Sequence, residues 1–142
     1  MYNNGVNKYS STRFKERNDE NILSREQEIP LSDTDRITYV FKYQKFKSKS
    51  IKVIEVTSVT YEIITDNKWM TIIYYDSTHG NLHRHIRISL INTSDTVTTK
   101  GVKKKGDHAS WLKWAIKDLQ NRYVYYKKEF LKRSKQDIID RE

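Results

Sequence analysis

The chain has 142 residues and a net charge of +9, with 36% hydrophobic residues, a single Pro and no Cys. That length suits one domain with a tail. The composition excludes disulfides and thiolate metal sites, and no apolar run approaches the roughly 18 residues of a membrane span. With no apolar signal stretch at the N-terminus, the expectation is a cytoplasmic protein with no membrane partner.

Aromatic residues offset the low apolar fraction: ten Tyr, four Phe and three Trp can each bury a large area. The charge is uneven. Residues 1–36 carry six basic and seven acidic side chains, whereas residues 37–142 carry 21 and 11. The second part therefore holds all the excess positive charge, which points to a polyanionic partner, nucleic acid being the commonest.

In chain order, residues 1–36 are polar and read as a flexible extension, with a candidate protein partner as its use. Ser24-Arg25-Glu26-Gln27 matches a capping box, but no apolar stripe follows it and Pro30 would end a helix. A single basic domain is expected over 37–142. Residues 37–47 are rich in aromatic and β-branched types, Ser48-Lys49-Ser50 makes a turn, and a β-rich run follows from Ile51 to Thr65. Asp66-Asn67 supplies turn chemistry, with strands at Trp69–Asp76 and Leu82–Ile91 around it and after it. Residues 92–106 are loop-like, with a Thr-rich piece that can add a short edge strand. Asp107 is a good N-cap for a helix of about six turns, in which Trp111, Leu112, Ala115, Ile116, Leu119, Tyr123, Tyr126 and Phe130 repeat at three- and four-residue steps. The expected fold class is α+β: an antiparallel meander of about four to five strands with one long C-terminal helix packed across it.

Chemistry concentrates at residues 76–85, where His79, His83 and His85 fall within seven residues, with Asp76 before them and Arg84 among them. Strand alternation puts Leu82, Arg84, Ile86, Ile88 and Leu90 on a helix-facing side. His83, His85, Arg87 and Ser89 share the other side, with about 7 Å between successive same-face side chains. Whether Asp76 joins the histidines depends on hairpin register, because a one-residue slip moves it to the opposite face. Three uses compete. His79, His83 and His85 could hold a divalent metal. His83 and His85 could act as acid and base in RNA cleavage, with Arg84 or Arg87 stabilising the phosphorane. The segment could also be a tight turn with solvated strand positions, Gly80 supplying the positive φ. No cofactor is called for.

The segment Trp69–His85, with its Tyr-Asp-Ser-Thr-His-Gly turn and His-Arg-His strand, resembles the signature of a family of small archaeal and bacterial proteins. In that family a hydrophobic strand, a Tyr-Asp-Thr-Ala-His-Gly-like turn and His-Arg-His precede a loop and a helix with an Ala-Ile-x-Asp-Leu-like stretch. Ala115-Ile116-Lys117-Asp118-Leu119 is similar to that stretch. The resemblance covers roughly residues 58–130 and brings no established activity with it. A more distant likeness is to toxin-type proteins of toxin–antitoxin systems that bear an Asp…His-rich hairpin. The turn and the helix of this chain depart from that pattern.

Two basic patches complete the reading. Lys42, Lys45, Lys47, Lys49 and Lys52 are interrupted by no acid and interleave with Tyr39, Phe41, Tyr43 and Phe46, a composition suited to single-stranded nucleic acid. The same lysines could instead protect an edge strand. Lys100, Lys103, Lys104 and Lys105 lie in a glycine-flanked loop before the helix, where backbone N–H groups and the helix dipole favour an anion. The leading expectation is a small basic protein associated with nucleic acid, RNA more than DNA, non-catalytic or of unproven activity. The alternatives are a toxin-type endoribonuclease using His83 and His85, and a protein-interaction module using residues 1–36 or Tyr123, Tyr125 and Tyr126.

Overall fold

The computed structural model describes residues 21–102 and 105–142. Among the described residues, six strands form one antiparallel sheet: β1 (Ile22–Ser32), β2 (Asp35–Lys45), β3 (Ile51–Thr65), β4 (Lys68–Asp76), β5 (His83–Arg87) and β6 (Asp95–Thr98). Their order in the sheet is their order in the chain, so each strand pairs only with its sequence neighbours. The helix α1 (His108–Arg141) has 34 residues, about nine turns and about 51 Å long. The class is the α+β meander with one C-terminal helix, with a strand more than expected.

The additional strand corrects the reading of the N-terminal third. β1 lies inside the segment expected to be an extension, and β2 begins at Asp35 rather than Ile37. Residues 1–20 of that segment lie outside the described residues. β1 is mostly exposed, which is why its composition looks disordered. Its order comes from a ladder of ten residue pairs with β2, among them Leu23 with Tyr43 and Ile29 with Ile37. Pro30 is compatible with this because, among the described residues, β1 is an edge strand, where a missing N–H breaks no ladder on the outer side. The capping-box residues Ser24–Gln27 are strand, not helix.

The turns form where the chemistry asks for them. Asp66 and Asn67 adopt φ 52° and 62°, joining β3 to β4 in two residues, the pairing of left-handed conformers that matches strand twist. Lys49 takes φ 66° at the tip of the β2–β3 hairpin.

The core lies between the sheet and α1. Ile37, Phe41, Val56, Val59, Tyr61, Ile63, Ile73, Tyr75 and Leu82 meet Trp111, Leu112, Ala115, Leu119, Tyr126 and Phe130. One residue of slip at Ile72, where Tyr61 and Glu62 face Ile73 and Thr71, buries Ile72 and Ile73 together. Asp107 caps the helix by accepting from Ser110 N at 2.9 Å, while Ser110 Oγ accepts from Asp107 N at 3.1 Å. The helix runs on past Phe130, further than its apolar periodicity announces. Ser134 and Asp137 tie that last part to the 88–91 segment: Ser134 Oγ accepts from Leu90 N, and Asp137 accepts from Ser89 Oγ. Among the described residues, no helix is long and apolar enough to cross a membrane.

The strand expected over Leu82–Ile91 stops at Arg87. Arg87 folds back to donate to the carbonyls of Ser89 and Leu90, which ends the extended run. Alternation fails there. Ser89, assigned by parity to the histidine side, is fully buried and bonded to the helix instead.

Candidate functional site

The hairpin β4–β5 resolves the histidine cluster. Asp76 pairs with His83 and Tyr74 with His85. Directly opposed residues in an antiparallel pair share a face, so Asp76 stands with the two histidines on the side away from α1. Asp76 Oδ2 accepts from His85 Nε2 at 2.8 Å, and its Oδ1 accepts from Thr78 Oγ1 at 3.2 Å. Asp95, from β6, places Oδ2 3.4 Å from His85 Nδ1. That is within Coulombic reach but outside hydrogen-bond alignment. Tyr74 stacks on the same imidazole. Burial pushes the Tyr74 phenol up from its usual range, and the Asp95 and Asp76 charges add to it.

The expected row is therefore split by its bonding. His85 faces a carboxylate at each ring nitrogen and is largely covered. His83 donates from Nδ1 to Asn81 O at 2.9 Å. Arg87 is committed to the Ser89 and Leu90 carbonyls. His79 sits in the exposed turn beside Gly80, whose φ is 105°. Among the described residues, no group of three or more His, Asp or Glu side chains is arranged to hold a metal ion, so His79, His83 and His85 are not brought together as ligands.

Arg84 lies on the opposite side, facing the helix as alternation requires. Its guanidinium donates to Lys100 O at 3.1 Å and to Tyr126 OH at 3.5 Å. It is therefore a brace between β5, the 99–102 turn and α1, not a free phosphate contact. Beside it, Asp118 Oδ2 accepts from both the Tyr75 and Tyr126 hydroxyls. Burial pushes both phenols up, and the bond to Asp118 pushes them further. Arg84 Nε and His85 Nδ1, on adjacent residues, are the buried side-chain polar atoms without a hydrogen-bond partner among the described residues.

The basic patches separate in a way the linear order hides. In β2, Tyr39, Phe41 and Tyr43 lie in a row on the helix side, with ring centroids 6.2 and 5.7 Å apart. Arg25 of β1 covers Phe41 and Tyr43. Lys42 is on the other face, paired with Glu55 at 3.6 Å. The interleaved lysines and aromatics thus part onto two faces, and β1 pairs along the β2 edge that the lysines were expected to protect. At the hairpin tip, Lys45, Lys47, Lys49 and Lys52 are all exposed, with Phe46 46% exposed among them.

The tip stands at one end of the molecule together with the other basic loop. Ser77, just after β4, donates from N to Val56 O and accepts from Val56 N, so residues 51–55 of β3 run on past the end of β4. That overhang is about 16 Å at strand rise. Ser77 Oγ also lies 2.9 Å from His108 Nδ1, which fixes the start of α1 to this end. Lys100 is held there by Arg84, and Lys105 O accepts from Trp111 Nε1 at 3.3 Å. Lys103 and Lys104 lie outside the described residues.

Comparison with known proteins follows the same boundaries. A family described as "Domain of unknown function (DUF7718)" matches residues 23–136. The chain belongs to that family. Its matched span opens inside β1, so the first strand is part of the family's domain, as the β1–β2 ladder requires. No curated protein and no solved structure matches.

Two features had no sequence signal read for them. Asp35, buried at the start of β2, accepts from Tyr61 OH and Ser32 Oγ at 2.5 Å each and pairs with Lys127 at 3.3 Å. Burial would raise its carboxyl, but the Ser32, Tyr61 and Thr34 hydroxyls and Lys127 outweigh it and hold it below the usual range. On the uncovered face, Arg36 lies over the Trp69 ring at 4.1 Å and binds Glu62 at 2.6 Å. The Tyr61 and Glu62 partners each lie 26 residues away in the chain, and Lys127 lies 92 away.

Proposed function

We propose that the protein binds single-stranded nucleic acid, RNA in preference to DNA, through the end of the molecule that carries the β2–β3 hairpin tip. The observation that carries this reading is the convergence just described: four exposed lysines and an exposed phenylalanine at Lys45–Lys52 project from the same end as Lys100 and Lys105. Lysines neutralise phosphates and release counterions, and an exposed ring offers a stacking platform to an unpaired base. An A-form duplex presents no unpaired base to Phe46, which favours the single strand. Binding without catalysis is supported by the bonding of the imidazole row, since His85 faces carboxylates at both nitrogens and Arg87 is spent on carbonyls.

Titration of a fluorescent single-stranded RNA oligonucleotide at several salt concentrations tests the reading. The slope of log affinity against log salt should fall by about 0.7 for each phosphate-contacting lysine changed to Gln among Lys45, Lys47, Lys49 and Lys52. Phe46→Ala should weaken binding by about 1–3 kcal/mol with the slope unchanged. Binding that ignores salt, or that survives loss of all four lysines, sinks the idea. Fragmentation of the oligonucleotide that disappears in His83→Ala would replace binding by cleavage.

A further inference from the structure

The helix spends its wide apolar face on the sheet, yet apolar residues recur on its outward side. Val124, Leu131 and Ile138 are 65%, 44% and 42% exposed. They are spaced by seven, and a straight helix drifts only about 20° per heptad, so they form one row. Counted as the d positions of a heptad, they leave Lys128 and Lys135 at the intervening a positions and Lys132 at e. All three lysines are exposed. At about 3.6 residues per turn, Glu129 and Asp137 fall on other sides of the helix, and Asp137 is engaged with Ser89 and Arg141. The outward seam therefore alternates aliphatic and lysine with no acid.

We propose that this seam docks an amphipathic helix of a partner protein, one with apolar residues at its own seam and Glu or Asp at the positions that meet Lys128, Lys132 and Lys135. The charge pattern chooses the occupant. A second copy of this chain would set lysine against lysine at the a positions, where a single polar residue already governs pairing. A nucleic-acid backbone would satisfy the lysines but leave the aliphatic row against phosphates with nothing to gain. An acidic helix satisfies both, burying the row and pairing the three charges. Among the tyrosines of this region, Tyr123 packs against Tyr61 and Tyr126 is buried on Asp118, so Tyr125 alone of the three is available to join the contact.

The probe is a synthetic four-heptad peptide with Leu at the a and d positions and Glu at e and g, titrated onto the full chain by calorimetry. A second peptide carrying Lys at e and g is the charge control. Binding of the Glu peptide, at least tenfold weaker for the Lys peptide, is expected. Leu131→Asp should weaken it by roughly tenfold or more. Leu131 is substantially exposed, so the fold should survive, as circular dichroism would verify. Leu131→Ala, with a smaller loss, guards against an artefact of the added charge. Equal affinity for both peptides, or affinity within about twofold after Leu131→Asp, overturns the proposal. Sedimentation showing a homodimer that Leu131→Asp dissolves also overturns it, in favour of a self-interface. Displacement of the Glu peptide by single-stranded RNA, with Lys128→Glu abolishing RNA binding, overturns it in favour of a nucleic-acid face.

Discussion

Tyr74 lies flat against His85, with ring centroids 4.1 Å apart and planes within 4°. The stack holds the imidazole edge-on to Asp76 and Asp95, one carboxylate at each nitrogen. It therefore joins three neighbouring strands on the face that the helix leaves open. His85→Ala should destabilise the protein by about 1–3 kcal/mol, because two partly buried carboxylates lose their shared partner. Urea unfolding of the Tyr74 and His85 alanine variants, single and double, should give a coupling of about 0.5–1.5 kcal/mol. Strict additivity would show that the two rings are neighbours without being partners.

Acid should act in part through Asp35. Its carboxyl is held below the ordinary range by the Ser32, Tyr61 and Thr34 hydroxyls and by Lys127, against the opposing effect of burial. A depressed folded value means that its contribution is present above the unfolded value of about 3.9 and lost as the pH falls through the folded one. Thermal melts at stepped pH should show this loss below about pH 4, and Asp35→Asn should flatten that limb. Identical acid limbs in the variant and the parent would remove Asp35 from the account.

Alkali should act later, through the buried phenols. Burial, and then Asp35 for Tyr61 or Asp118 for Tyr75, pushes both hydroxyls above the ordinary tyrosine range. A raised folded value means stability intact below about pH 10 and lost as the pH rises through the folded value. Ultraviolet titration should show a late component, from the buried phenols, appearing only with unfolding. Tyr75→Phe should shrink the late component, and a single early step for all ten tyrosines would contradict the buried pairings.

The network at Asp118 makes a sharper demand. Its Oδ2 serves two hydroxyls at once, so Asp118→Ala should orphan both and cost about 2–4 kcal/mol, more than Tyr75→Phe or Tyr126→Phe alone. Chemical denaturation of the three variants checks the order. If the carboxylate variant proved the mildest, the hydroxyls would have other acceptors.

Gly80 tests the turn before β5. At φ 105° it adopts a conformation that side chains resist, yet an added Cβ would meet no atom within 4 Å. Gly80→Ala should therefore cost about 1–3 kcal/mol from backbone strain alone. Unchanged stability would mean that the turn can relax to another form.

Much of this architecture is legible in the residues. The Asp66-Asn67 turn, the Asp107 cap and the apolar stripe from Trp111 to Phe130 each carry a local signal that survives folding. Arg84 could be placed on the helix side because it sits between Leu82 and Ile86. What escapes notice is set by partners distant in the chain. β1 has the composition of a tail and becomes a strand because β2 lies beside it. Asp76 joins the histidines only through a register that pairs it with His83. Ser89 breaks parity because Asp137, 48 residues on, holds its hydroxyl. The lysines and aromatics of β2 look mixed when read in line, and alternation sorts them onto opposite faces. The bonds of His85 Nε2 and of the Arg87 guanidinium are likewise invisible until Asp76 and the Ser89 and Leu90 carbonyls are in place.

The meander has a kinetic consequence. Every ladder joins strands that follow one another in the chain, and the longest connection within the sheet spans only residues 88–94. Hairpins that close short loops form on a microsecond scale, so the sheet can grow strand by strand from either side of the Asp66-Asn67 turn. The helix must return across strands laid down much earlier in the chain, as Lys127 does to reach Asp35. Docking of α1 is then the late, slow event, and a chain cut short before residue 108 would leave a sheet with its apolar face bare and prone to self-association.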